Sequence, residues 1–158
     1  MQTLYSVALI THIIGITLLA GTTLVDYIIT KQFWMQYSKD KMKGAAIYEA
    51  MSKVVKLFGI GIILLILSGV TMMAITNGAF GEQIWFRIKF GLVVIIIING
   101  LAFGRRQGIK LRKILSADSA GNSVETSLSK IRSNLRLFHV SQMILFIIIF
   151  VLSVFKFN

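Results

Sequence analysis

The stretch TLYSVALITHIIGITLLAGTTLVDYII, residues 3–29, decides the fold of this chain because it is largely apolar and holds no lysine or arginine. A helix of about 20 mostly apolar residues crosses the hydrocarbon core of a bilayer. Three further runs of this kind follow, at residues 54–75, 84–103 and 137–155. The first run lacks the basic n-region and small-residue cleavage site of a signal peptide. The sequence therefore predicts one integral membrane domain, an all-α bundle of four spanning helices.

The composition excludes several other classes of protein. Of the 158 residues, 56% are hydrophobic and only 15% are charged, whereas a soluble domain has about 25% charged residues. This hydrophobicity also excludes intrinsic disorder. Without cysteine, the chain has no disulfide, no thiolate metal site and no cysteine nucleophile. The sequence contains no recognisable glycine-rich phosphate loop, zinc-protease motif or Ser-His-Asp spacing.

The net charge of +11 suggests either a nucleic-acid partner or an anionic membrane surface. Of the 17 basic residues, 13 lie between the first and second runs or between the third and fourth, and a fourteenth, Lys56, lies at the start of the second run on the same side. Arg87, Lys89 and Lys156 are the three on the opposite side. Because cytoplasmic loops of membrane proteins are rich in Lys and Arg, we expect both termini and the 76–83 loop outside. The basic residues then set the orientation of the protein in the membrane. The expected partner is therefore the lipid bilayer and not nucleic acid.

Both basic segments are expected to be largely helical. Apolar residues recur at helical spacing ahead of the fourth run, so its helix should begin in the cytoplasm and continue into the membrane; they are Val124, Leu128, Ile131, Leu135 and Phe138. The third helix is expected to continue past Phe103 through residues 104–115, with the turn at residues 116–123. The segment 31–53 has few helix-breaking residues and should be helical as well.

Ionisable side chains inside a span are costly and each is a functional candidate. On the first helix, His12, Gly15, Leu19, Thr22 and Asp26 share one stripe, which should face the bundle. His12 either forms an interhelical hydrogen bond to a Ser, a Thr or a carbonyl, or serves as a metal ligand or proton carrier. Gly15 leaves room beside it for a flat ligand or for a closely packed helix.

Arg87 and Lys89 lie in the first turns of the third span, on the same side of the membrane as His12. They either reach the lipid headgroups or bind the acidic groups of a ligand. A haem is compatible with this arrangement, with His12 as an axial iron ligand and the propionates on the two cations. Met72 and Met73 are candidate second ligands, although methionine in a span more often only packs.

His139 and Asp26 both lie near the opposite boundary and are expected to pair with each other. His139 is a weaker candidate metal ligand. Simple depth estimates place it more than about 10 Å from His12 along the membrane normal, which argues against a shared iron.

Three short motifs carry a resemblance to a known family: HIIGI at residues 12–16, WFRIKF at 85–90 and RLF at 136–138. In order and spacing they resemble segments of the HemJ-type protoporphyrinogen oxidases. The wider group includes the CopD-like copper-resistance membrane domains. The resemblance implies a four-helix membrane protein that binds haem b, with His12 as an axial ligand and Lys89 as a functionally important cation.

The chain also departs from the pattern of that family. Leu19 stands where the family usually has Trp, and Gly21-Thr22 replaces a Gly-Gly pair. His139-Val140 replaces an Asn-Glu pair, which removes a carboxylate and adds an imidazole. The resemblance therefore implies haem binding more directly than it implies oxidation of protoporphyrinogen.

These observations lead to three hypotheses. The first is a haem b protein with a redox role, either porphyrinogen oxidation or electron transfer to a quinone. The second is a non-catalytic, CopD-like protein that handles copper or protons through His12, Met72, Met73 and His139. The third is a helix-packing or assembly subunit, for which the glycines of the spans suffice. The charge pattern and the resemblance indicate a bacterial inner membrane, and a homo-oligomer remains open.

Overall fold

The computed structural model describes residues 2–116 and 122–155, which contain helices and turns and no strand. The helices are α1 (Gln2–Tyr37), α2 (Lys41–Ile75), α3 (Ile84–Ile98), a π-helical segment (Asn99–Gly104), α4 (Arg105–Ser116) and α5 (Asn122–Val154). Three of the predicted features lie outside the described residues. They are the side chain of Val124, the whole of Lys156 and the centre of the 116–123 turn.

Four helical stretches of the described chain are long and apolar enough to cross a membrane. They are Gln2–Tyr37, Lys41–Ile75, Ile84–Ser116 and Glu125–Val154. The predicted all-α fold with four spans is therefore confirmed. The predicted helical extensions are also confirmed, because only residues 38–40 separate α1 from α2, and α5 begins well before its apolar run.

The helix ends have local causes in the sequence. Asp40 caps α2 because its carboxylate accepts hydrogen bonds from the backbone N–H groups of Met42, at 2.9 Å, and Lys43, at 3.2 Å. At the other end of α2, Asn77 and Gly78 take positive φ angles of 49° and 75°. Glycine and asparagine tolerate this left-handed conformation, which stops a helix and turns the chain toward α3.

The third helix continues beyond Phe103 as expected, but not as a regular α-helix. Residues Asn99–Gly104 form a π-helical segment, in which each turn is wider by one residue. Gly100 and Gly104 lie against the rings of Phe58 and Phe138, where an added Cβ would come within 3.0 Å of ring atoms. The widened turn thus coincides with two close contacts to neighbouring helices.

The bundle has two hydrophobic clusters, which lie at different levels along its axis. We call the end with the start of α1, the end of α5 and the 76–83 turn the terminal half, and the end with the 38–40 turn and α4 the basic half. One cluster lies among the apolar spans and contains Leu19, Leu65, Ile96, Phe146 and Ile149. The other lies in the basic half and contains Phe33, Trp34, Met51, Leu111, Ile131 and Leu135. The basic segments are therefore folded onto one another through their own apolar core.

The helices α1 and α2 pack along each other more extensively than any other pair. Their backbones approach most closely at Gly15 and Gly61, where a Cβ on Gly15 would lie 2.9 Å from the backbone nitrogen of Leu65. Small residues permit this kind of approach between membrane helices. Of the two alternatives for Gly15, a flat ligand or a close helix, the structure shows the close helix.

The helix α3 packs differently, because its backbone contacts are mainly with α5 and the π-helical segment and only weakly with α2. Its outer face is apolar and open, as Phe90 is 62% exposed. In water this surface would be unfavourable, whereas lipid chains would cover it. The two helices α2 and α3 therefore lie side by side with little direct backbone contact, and we call the boundary between them the seam.

The contact between α1 and α2 gives a test of the packing. Gly15→Val should lower the free energy of unfolding by about 1–3 kcal/mol, because the added side chain must push the helix backbones apart. Gly91→Val is the matched control, since a Cβ on Gly91 meets nothing within 4 Å. Thermal unfolding in detergent, followed by helical circular dichroism, measures both variants. Equal stability of Gly15→Val and Gly91→Val would contradict the close approach of α1 and α2 at Gly15.

Candidate functional site in the terminal half

His12 is held by a hydrogen bond between helices α1 and α2. Its Nδ1 lies 3.0 Å from Oγ of Ser68, and that hydroxyl lies 2.6 Å from the carbonyl oxygen of Leu64. A hydroxyl has a single proton to donate, and Ser68 directs it to the carbonyl. This arrangement favours the tautomer in which His12 Nδ1–H donates to Ser68, and in the neutral imidazole that tautomer keeps its lone pair on Nε2.

This histidine lines a cavity of about 690 Å³ that lies between α1, α2 and α3. Ligand sites of proteins commonly have volumes of about 300–1,000 Å³ and mostly apolar walls with a few polar groups. Here the walls are mainly aromatic and aliphatic. His12, Arg87 and Lys89 provide the imidazole and the two cations, and Tyr5 and Ser153 also line the cavity. Among the apolar residues that line it are Leu65, Met72, Met73, Phe80, Trp85 and Phe90.

The structure brings together most of the site residues predicted from the sequence. His12, Met72, Met73, Arg87 and Lys89 all line this one cavity. Arg87 also donates its Nε–H to the carbonyl oxygen of Gly81 at 2.8 Å. That bond ties the start of α3 to the preceding turn and leaves the other guanidinium nitrogens for a ligand or for headgroups.

Gly15 and His139 do not line this cavity. His139 lies next to α1 in the other half of the bundle, where its Nε2 is 2.8 Å from Oδ2 of Asp26. Since Asp26 is 14 residues from His12 on one helix, the two histidines lie about 21 Å apart along the axis. The predicted Asp26–His139 pair and the separation of the two histidines are therefore both confirmed.

Both nitrogens of His139 are occupied, because Nδ1–H also donates to the carbonyl oxygen of Leu135 at 2.7 Å. The side chain is fully buried, and its Nε2 pairs with the carboxyl group of Asp26. A histidine bonded at both nitrogens has no lone pair left for a metal ion. Within residues 2–116 and 122–155, no group of three or more His, Asp or Glu side chains could hold a metal ion.

Three polar residues of the structure were not singled out by the sequence: Ser68, Asn99 and Gln142. Asn99 donates to Oε1 of Gln142 at 3.2 Å, and Gln142 donates to the carbonyl oxygen of Ile96 at 3.1 Å. Gln142 is fully buried. The signal that could have found all three is an uncharged polar residue inside an apolar run, because such a side chain needs a partner on another helix.

The helices and the site define a multi-pass integral membrane protein, a bundle of four spans with an imidazole and two cations around one apolar cavity. The chain belongs to the family DUF2269, whose description is a predicted integral membrane protein and whose sequence model matches residues 6–157. This match connects the chain to no HemJ-type or CopD-like protein. No curated protein and no solved structure matches the chain.

The Asp26–His139 pair gives a second test. Asp26→Leu should destabilise the protein by about 1–3 kcal/mol, because it leaves a buried imidazole nitrogen without its partner. The double variant Asp26→Leu/His139→Leu should cost less than the sum of the two single variants. Glu82→Leu, at an exposed position, is the control. If the losses of unfolding free energy in the two single variants add up to the loss in the double variant, the side chains of Asp26 and His139 are not coupled.

Proposed function

We propose that this protein binds haem b in the terminal-half cavity and has a redox role in the membrane. The observation that carries the proposal is the state of His12, which lines the cavity while its Nδ1–H is bonded to Ser68. A histidine that ligates iron donates its other ring nitrogen in this way, and the bond sets both tautomer and ring orientation. The resemblance to HemJ-type proteins at residues 12–16 and 85–90 supports the same assignment.

The other residues of the cavity suit a flat, acidic and largely apolar ligand. Trp85, Phe80 and Phe90 provide aromatic surface for a macrocycle. Arg87 and Lys89 provide the cations for two propionates, with Arg suited to forked contacts and Lys acting as a point charge. Met72 and Met73 line the cavity on α2, and a thioether from either one would be available to bind the iron together with His12.

Haem b would supply one-electron redox chemistry to this site. The chain itself holds the ring, orients the imidazole through Ser68 and balances the ligand's negative charge through Arg87 and Lys89. The seam between α2 and α3 gives a membrane-dissolved porphyrin or quinone a lateral route to the cavity. Porphyrinogen oxidation and electron transfer to a quinone are the two redox roles that this arrangement supports.

The haem proposal predicts a specific spectrum. Protein produced with haem supply and purified in detergent should show a Soret band, and dithionite reduction should add an α-band. His12→Ala should abolish both, because the variant lacks the imidazole that would bind the iron. Thr11→Ala is the matched control, since its hydroxyl bonds only within the helix, to the carbonyl oxygen of Val7.

Two further variants refine that experiment. Arg87→Gln and Lys89→Gln should each weaken haem affinity by about tenfold, as expected for the loss of one charged contact. A folded protein that binds no haem, or a spectrum that is the same in His12→Ala, would overturn the proposal.

Copper is the alternative cargo, and one observation favours it: His12, Met72 and Met73 line the same cavity. Imidazole and thioether groups together suit copper(I). A CopD-like protein would use them to handle copper or protons without catalysis. Metal analysis of haem-free protein distinguishes the two, because stoichiometric copper that is lost in Met72→Leu/Met73→Leu would favour this alternative.

The membrane orientation is part of the proposal, with both termini outside a bacterial inner membrane. Because the chain has no cysteine, single cysteines can be placed without background. Ala79→Cys, in the turn of the terminal half, should react with a membrane-impermeant maleimide in intact cells. Lys39→Cys, in the turn of the basic half, should react only after lysis. Both positions are exposed, and the reverse labelling pattern would contradict the orientation.

A further inference from the structure

The basic half contains a second cavity, of about 430 Å³, which the haem proposal does not use. It lies between α2 on one side and the π-helical segment and α4 on the other. Its walls are completed by α1 and α5, so that it continues the seam between α2 and α3 toward the basic end. Its residues are distinct from those of the terminal-half cavity.

The second cavity has mostly apolar walls, with two arginines of α4 and a few polar side chains of α1 and α2 among its lining residues. Along their helices, Phe58, Ile62 and Leu101 lie nearer the middle of the bundle. Arg105 and Arg112 lie nearer the basic loops. An amphiphile lying in one leaflet likewise has its chains toward the membrane centre and its headgroup toward the loops.

Both arginines line the cavity, and no carboxylate of the described residues forms an ion pair with either of them. Arg105 and Arg112 are seven residues apart, two turns of α4, and therefore lie on one face of it. Both are exposed. Arginine is well suited to forked contacts with phosphate oxygens.

Asp26 also lines this cavity, and one of its two carboxyl oxygens is already bonded within the protein. Its Oδ2 is bonded to Nε2 of His139 at 2.8 Å. Its Oδ1 is buried and has no hydrogen-bond partner among the residues that the structure describes. A buried acceptor of this kind is costly unless a donor reaches it, and a headgroup hydroxyl that enters the cavity would be such a donor.

We infer that this cavity binds an anionic phospholipid. The phosphate pairs with Arg105 and Arg112, and an acyl chain lies along Phe58 and Ile62. The glycerol headgroup of phosphatidylglycerol offers a hydroxyl for Asp26 Oδ1, which makes that lipid the probe of choice. This inference concerns a different cavity from the haem site, so either one can fail without the other.

Native mass spectrometry of the full chain in detergent tests the inference by titration with dioleoylphosphatidylglycerol. We expect one tightly retained lipid and clearly weaker retention of dioleoylphosphatidylcholine. Arg105→Gln and Arg112→Gln should each weaken phosphatidylglycerol binding by about tenfold, the effect of losing one charged contact. Arg106→Gln, on the same helix but outside the cavity lining, should leave binding unchanged.

The acyl-chain end of the cavity is tested by filling it. Gly59 lines the cavity, and a Cβ there would meet nothing within 4 Å, so Gly59→Leu adds volume without a clash. It should displace the lipid, whereas Gly91→Leu, equally open but outside the cavity lining, should not. Circular dichroism of each variant checks that the helical fold is retained.

Three results would overturn the inference. The first is equal retention of the two lipids by the unaltered chain. The second is equal loss of binding in Arg106→Gln and Arg105→Gln, which would indicate only a diffuse attraction to the basic surface. The third is displacement of the lipid by millimolar inorganic phosphate, which would assign the arginines to a free anion and not to a headgroup.

Discussion

A polar side chain inside hydrocarbon has no water to bond with, so it must find its partner within the protein. Among the described residues, three pairs of side chains each join different helices. His12 and Ser68 join α1 to α2, Asp26 and His139 join α1 to α5, and Asn99 and Gln142 join the π-helical segment after α3 to α5. The apolar contacts of the spans permit many rotations of one helix against another. The polar partnerships select one of them.

The same constraint explains where the cavities lie. The helices α1, α2 and α5 are drawn together by close backbone contact or by polar partners, and α3 is attached chiefly through α5. The seam left between α2 and the α3–α4 side is occupied by two cavities, one at each end. Each cavity combines apolar walls with cations, which suits amphiphilic ligands that arrive from the bilayer.

The two histidines show how the surroundings assign different roles to one residue type. His139 is fully buried and bonded at both nitrogens, so its function is to tie α5 to α1. His12 is bonded at Nδ1 and lines a cavity with Lys89 and Arg87. Both residues carry an imidazole, but only His12 has a ring nitrogen without a bond to the protein. His12 is therefore the candidate ligand, and His139 has a structural role.

Much of this architecture follows from the sequence, because the length and apolarity of four runs alone require spanning helices. The helical spacing of Leu128, Ile131 and Leu135 also predicted that α5 begins outside the apolar run. The pairing of Asp26 with His139 was predictable for a related reason, since two ionisable groups near the same boundary lower each other's cost. These are properties of residue type and position along the chain.

Tertiary structure alone decided the rest. The sequence left Gly15 open to a ligand or a helix, and only the packing of α2 against it chose the helix. Nothing in the local sequence around Asn99 and Gly104 specifies a π-helical turn, which arises where α3 meets Phe58 and Phe138 from two other helices. The partner of His12 lies 56 positions away along the chain. The sequence by itself determined which residues must find a partner, whereas the way the helices pack decided which partner each one found, because those contacts join residues far apart in the chain.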